Sequence, residues 1–218
     1  MPRCLEGARY YAQWAGAPYS VYSTRNGEND YADDINVRSL MTNWLSAGSI
    51  YNPAKVGLNV PMELSLAVHS DAGYDRYGHS LVGSLAICTT DFNDGRLGNG
   101  ASRMMSKDFA TMLLNNVTSD LGKIYGTWAK RYLWDRNYSE TRLPDAPSAI
   151  LETLSHQNFP DMIYGQDPNF TSAGWSAFPA SLPACTKCPM ASRSSSARST
   201  FPSCSPWARL RHALPAAT

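Results

Sequence analysis

Two acid–base side chains sit where short apolar runs give way to polar residues. His69 closes the run in PMELSLAVHSDAG (Pro61 to Gly73), and Glu152 closes the run in SAILETL. A neutral imidazole suits zinc. A nearby carboxylate can take the proton of a metal-bound water, whose pKa the metal lowers to about 7. Catalytic zinc sites use three protein ligands and keep one position open. The chain offers His69, with His79 and His156 as neighbours, but no HExxH or other tight zinc spacing. Each residue also has an ordinary use. His69 can cap a strand, His79 can sit solvated in a loop, His156 can bond a turn, and Glu152 can be a strand-end carboxylate.

The flanking patterns predict the elements that carry these residues. Bounded apolar runs of this length read as buried strands of an α/β sheet, where chemistry gathers beyond the carboxyl ends of strands. Leu5 to Ala15 has helical spacing, with Gly16 as its stop. Ser20 to Ser23 reads as a short β-like run. A helix is expected from a cap at Asp33 or Asp34 to Ala47, with Trp44 in its core face. Leu81 to Thr89 is a second β-like run. Ser102 can cap a long helix through Val117, and 125–138 has no clear type. The alternation predicts an α/β fold with a largely parallel sheet. No strand precedes the first helix, and no covering helix is expected after the last strand.

The chain has 218 residues, 43% hydrophobic and 11% aromatic, with a formal net charge of +1. That length suits one domain with a sizeable core, or one domain plus an appendage. The charge gives no reason to expect nucleic acid or an anionic membrane as partner. No run approaches the roughly 18 apolar residues of a membrane span, and MPRCLEGARYY has no apolar core of a signal peptide. The average hides a division. Residues 171–218 hold ten Ser, ten Ala and six Pro, with five Lys and Arg and no Asp or Glu. The preceding 1–170 carry 14 Lys and Arg against 18 Asp and Glu. Such a tail has the makeup of a disordered segment, or of translation in a shifted reading frame, and the sequence leaves both open. In it, Cys185-x-x-Cys188 with Cys204 and His212 imitates a zinc ribbon, but the second pair has the wrong spacing.

The segments GARYYAQWAGAPYSVYSTR, DDINVRSLMTNWL, ELSLAVHSDAG and SAILETLSHQNFPDM carry a family resemblance. They look like proteins related to the zinc-dependent N-acetylmuramoyl-L-alanine amidases, Bacteroidetes relatives of which are labelled xanthan lyase or golvesin-domain proteins. The resemblance implies a three-layer α/β/α fold of the amidase type, incomplete at both ends, over roughly Leu5 to Phe170. Val68-His69-Ser70-Asp71-Ala72 is similar to the family's Ser-Ile-His-x-Asn-Ala motif, with Asp71 for Asn. That likeness implies that His69 is a zinc ligand. Ile150-Leu151-Glu152 resembles the strand of the catalytic glutamate, implying Glu152 as general base. Glu6 is the nearest match to a second ligand, in the first helix. No counterpart of the family's Gly-His-Gly loop is found. Asp71, His79 and His156 are the candidate substrate contacts. The resemblance implies zinc as cofactor, peptidoglycan or a related glycan as substrate, and a periplasmic, cell-surface or secreted location for intact relatives. With part of the ligand set missing, the chain is expected to bind zinc weakly and to be inactive. The rival readings are a non-catalytic carbohydrate-binding module and a polysaccharide lyase. Arg25 is expected to form a structural salt bridge. Oligomeric state is left open.

Overall fold

A computed structural model describes residues 7–170. Glu6, Leu5 and the whole 171–218 tail, with its cysteine pattern, lie outside the described residues. In chain order the elements are α1 (Ala8–Trp14), α2 (Tyr19–Tyr22), α3 (Asp30–Ser46), β1 (Ser65–Asp71) and β2 (Ser84–Cys88). Then come α4 (Met104–Tyr125), β3 (Lys130–Asp135), α5 (Ser139–Arg142), β4 (Ser148–Ser155) and α6 (Phe159–Gly165).

The four strands form one sheet in the order β1-β4-β2-β3. β1 runs parallel to β4 and β2 parallel to β3, while β2 and β4 are antiparallel. The expected largely parallel α/β sheet is therefore present, with one antiparallel junction at its centre. Burial follows this order. SLAIC of β2 is buried at every residue and SAILETLS of β4 at most, as central strands covered on both faces require. The edge strands β1 and β3 alternate between more and less exposed residues instead.

α4 packs across one face of the sheet. Its Phe109, Leu113, Val117 and Leu121 meet Ala86 of β2 and Leu151 of β4. Each fully buried leucine there contributes on the order of 1.5–3 kcal/mol. The other face carries a smaller apolar patch of Leu85, Ile87 and Ile150, with Ala67 and Trp134 against it. Helices α1, α2 and α3 pack on one another through Ala12, Ala17, Val21 and Val37, with Trp44, expected in the core face, only partly buried against them. α3 joins the rest through α5 and side-chain bonds: Ser39 Oγ donates to the Ser139 carbonyl and Asn43 Nδ2 to the Leu143 carbonyl. No helix among the described residues is long and apolar enough to cross a membrane.

Several elements differ from the sequence reading. Tyr19–Tyr22 is one helical turn rather than a β-like run. Pro18 leads into it, Ser23 N donates to the Tyr19 carbonyl, and no described strand lies alongside to pair with it. Four residues are too few for periodicity to separate strand from helix. α3 begins at Asp30 because Asn29 caps it, accepting from Ala32 N at 2.9 Å. Asp33, one of the expected caps, is fully buried and accepts from Arg25 N and the Thr24 hydroxyl. It fastens the preceding loop to the helix. Both site strands run past their expected ends, β1 to Asp71 and β4 to Ser155. The untyped 125–138 segment contains β3, and α6 follows β4 where no helix was expected.

The turn into α6 is held by Asp161, which is fully buried. It accepts from Val82 N and Gly83 N, both at 2.8 Å, from Ser155 N at 3.1 Å, and from the Asn158 amide. One carboxylate thus ties the entry to β2 to the exit of β4. Asp161→Ala would leave three backbone N–H groups without acceptors. It is expected to destabilise the fold by about 3 kcal/mol or more, read as a lowered midpoint in urea unfolding. An unchanged midpoint would show that water replaces the carboxylate.

Candidate functional site

Parallel pairing sets His69 directly opposite Glu152. Side chains alternate along a strand. Because Ile150 belongs to the small apolar patch and Leu151 to the core under α4, Glu152 lies on the patch side, with His69 beside it. Leu85 of β2 flanks Glu152 from the other neighbouring strand. The two residues sit within their strands rather than at the ends.

His69 does not stand free. Its Nε2 lies 2.9 Å from Oε2 of Glu140, on α5. Arg38 of α3 reaches the same carboxylate at 3.5 Å and Asp34 at 3.2 Å. Donation of a hydrogen bond to the Glu140 carboxylate raises the His69 pKa above its ordinary value, against the opposing effect of burial. Burial pushes the Glu140 carboxyl up, but its bond to His69 and the Arg38 charge outweigh this and hold it low. Imidazolium and carboxylate therefore favour each other.

Glu152 is the opposite case. Its Oε2 is sealed from solvent and has no hydrogen-bond partner among the described residues. Burial raises its pKa, with the negative charges of Asp71 and Glu140 adding to the rise and the positive charges of His69 and Arg131 opposing it. A carboxyl group so placed is prepared to hold a proton closer to neutral pH than an exposed one.

The other expected residues separate. Asp71 forms an ion pair with Arg131 of β3 and also accepts from Ala72 N. Burial alone would raise its pKa, but the Arg131 bond lowers it below the usual range. Its carboxylate is engaged in tying β1 to β3. His79 sits exposed in the loop after β1, its backbone N donating to Asp75 at 3.0 Å. His156 is exposed and meets the Ser70 hydroxyl and carbonyl, each at 3.0 Å, rather than Glu152. Sequence reasoning missed Glu140, Arg38 and Arg131. Glu140 lies 71 residues from His69 in a polar SETR stretch that reads as ordinary surface.

No three His, Cys, Asp or Glu side chains gather as a metal-holding group among the described residues. One imidazole and one carboxylate, already bonded to each other, fall short of the usual three protein ligands of a catalytic zinc. The described residues by themselves do not fit that ion.

No protein-family model matches the chain, and no curated protein matches it. Among solved structures it is similar to an N-acetylmuramoyl-L-alanine amidase from Clostridium difficile 630, at 12% identity over 74% of this chain and 75% of that one (TM-score 0.48). It is similar to the CwlD amidase of Clostridioides difficile, solved in complex with the GerS lipoprotein, at 12% identity over 72% and 66% (TM-score 0.47). It is also similar to the Ami1 amidase of Mycobacterium smegmatis, at 15% identity over 67% and 57% (TM-score 0.45). The chain thus spans about two thirds or less of the latter two. Likenesses of this size carry no weight for activity, which rests on the residues.

Glu152→Gln tests the site electrostatically. A raised carboxyl pKa means that the fold favours the protonated form. The charge therefore costs stability as pH rises above the unfolded value near 4.5. Removing it is expected to stabilise the protein at pH 7, with the gain vanishing as pH falls below the unfolded value near 4.5. Thermal unfolding at both pH values checks this, and a loss of stability at pH 7 would contradict it.

Proposed function

We propose that this chain carries the reacting face of an amidase-type hydrolase acting on the amide bond between a muramoyl sugar and its peptide in peptidoglycan, with Glu152 as general base. The observation that supports this most is the juxtaposition, in strand register, of His69 with a buried Glu152 oxygen that bonds to nothing among the described residues. The resemblance of the His69 and Glu152 segments to the amidase motifs supplies the substrate class.

In this reading Glu152 takes a proton from water as the water oxygen bonds to the carbonyl carbon. The same proton then passes to the amide nitrogen as the carbon–nitrogen bond breaks. His69, whose pKa the hydrogen bond to Glu140 raises, faces the negative charge that develops on the carbonyl oxygen. Burial of Glu152 serves the first step, because a base with a pKa nearer the working pH shares the proton more evenly. A zinc centre of the kind the resemblance implies would need ligands beyond the described residues. The chain alone is accordingly expected to hold zinc weakly and to release peptide from muropeptides below detection, while still binding them.

Binding of N-acetylmuramoyl-L-alanyl-D-glutamate, measured by calorimetry, tests the proposal. The wild type is expected to bind. His69→Ala with Glu152→Ala together is expected to weaken binding by about tenfold or more. Retained affinity in the double variant would make the chain a carbohydrate-binding module instead, and no binding by the wild type would overturn the reading. Stoichiometric zinc with turnover abolished by Glu152→Gln would confirm the base and show that the metal centre is more complete than the described residues indicate.

A further inference from the structure

A cavity of about 280 Å³ opens between α3 and the segment leading through α5. Two arginines line it, Arg25 from the loop before α3 and Arg142 from the end of α5, with Asn36, Asn137, Tyr31 and Tyr138 around them. No acidic side chain lines it. Arg25 does not make the salt bridge expected from sequence. Its backbone N donates to Asp33 at 2.7 Å, which fixes where the residue sits, and its guanidinium meets no carboxylate among the described residues. Among the described residues the Arg142 guanidinium reaches neutral acceptors, the backbone and side-chain oxygens of Asn137, at 3.4 and 3.3 Å.

The contrast with neighbouring cations is informative. Arg9 and Arg38 have carboxylate partners, whereas Arg103, which donates to the Thr141 and Arg142 carbonyls, shares with the cavity arginines the lack of one among the described residues. Two arginines converging on one cavity without an acid present up to ten N–H donors and two positive charges to whatever enters. The amides of Asn36 and Asn137 add neutral donors and acceptors, and the exposed rings of Tyr31 and Tyr138 offer apolar faces with hydroxyl tips. The volume suits one small group rather than a whole ligand. The wall is also the helix that carries Glu140, so a group held by Arg142 rests on the element that orients His69.

We propose that this cavity is a carboxylate-binding subsite that holds an acidic side chain of the peptide attached to the sugar, with Arg25 and Arg142 as its two anchors. The identity of that ligand rests on the peptidoglycan reading above; the preference for a carboxylate rests on the cavity itself. The guanidinium fork matches a carboxylate in two parallel hydrogen bonds, and the cavity gives it two such forks from different elements.

Calorimetry on the full chain tests this with four probes: N-acetylmuramoyl-L-alanyl-D-glutamate, its form with both carboxylates converted to amides, the free L-alanyl-D-glutamate dipeptide, and inorganic phosphate. Arg25→Gln and Arg142→Gln are each expected to weaken binding of the acidic muropeptide about tenfold. Both variants should unfold at the wild-type temperature. The amidated form should bind the wild type as weakly as the acidic form binds the double arginine variant. Affinity should also fall between 0.05 and 0.5 M salt, as roughly expected for a partly exposed ion pair. Arginine-dependent binding of the free acidic dipeptide, with no effect of His69→Ala and Glu152→Ala, would support the subsite while removing the amidase reading. Acidic muropeptide binding that ignores both arginine changes would overturn the subsite and leave the amidase reading standing. Phosphate binding as tightly as the dipeptide would also overturn it, by showing a general anion site.

Discussion

Pairing of β1 with β4 sets Ser65 against Ser148 and so carries His69 to Glu152. Because side chains alternate, a slip of one residue would turn the histidine toward the core under α4 and leave Glu152 facing an apolar neighbour. The register is fixed by the parts of the strands that do no chemistry. Leu66 and Leu151 belong with the α4 core, and Ala67 and Ile150 belong with the smaller patch. Asp161 and the Arg131–Asp71 pair then hold the strand ends. Apolar burial on one face thus decides which polar residues meet on the other.

What meets there is unequally satisfied. Glu152 shares this region with two other carboxylates, Glu140 and Asp71. Glu140 is bonded to the imidazole and to Arg38, and Asp71 is paired with Arg131. Glu152 alone has a buried oxygen with no bond among the described residues. A stability-driven arrangement would hydrogen-bond that oxygen or replace the side chain with an apolar one. Keeping a group that costs stability, beside an imidazole whose pKa a second carboxylate raises, is what the proposed proton-transfer role calls for. The same reasoning extends to the cavity at α3 and α5, where two cations lack a carboxylate partner among the described residues while Arg9 and Arg38 nearby each have one.

Much of this fold is legible in the residues. SLAIC and SAILETLS are apolar runs of strand length, and the 104–125 helix has a clear periodic face, so all three appear in their expected places. Tyr19–Tyr22 is not legible, because four alternating residues fit either structure and only the lack of a pairing strand decides. Asp33 misleads as a cap because its bonds go backward to the 23–25 loop, a contact that spacing does not reveal. At the site, His69 and Glu152 stand out because each ends an apolar run. Glu140 and Arg38 carry no such mark: they lie on short or polar helices, and only the packing of α5 against both α3 and β4 brings them in.

Titration of Glu152 itself, followed by carboxyl-carbon NMR in the folded protein, bears most directly on whether this is a reacting centre. The buried, unbonded oxygen predicts a midpoint above the ordinary glutamate value of 4.5, falling back toward it when the protein unfolds. A midpoint at or below 4.5 in the folded protein would mean that Glu152 is a satisfied surface carboxylate, and the proton-transfer reading of the His69–Glu152 pair would fail.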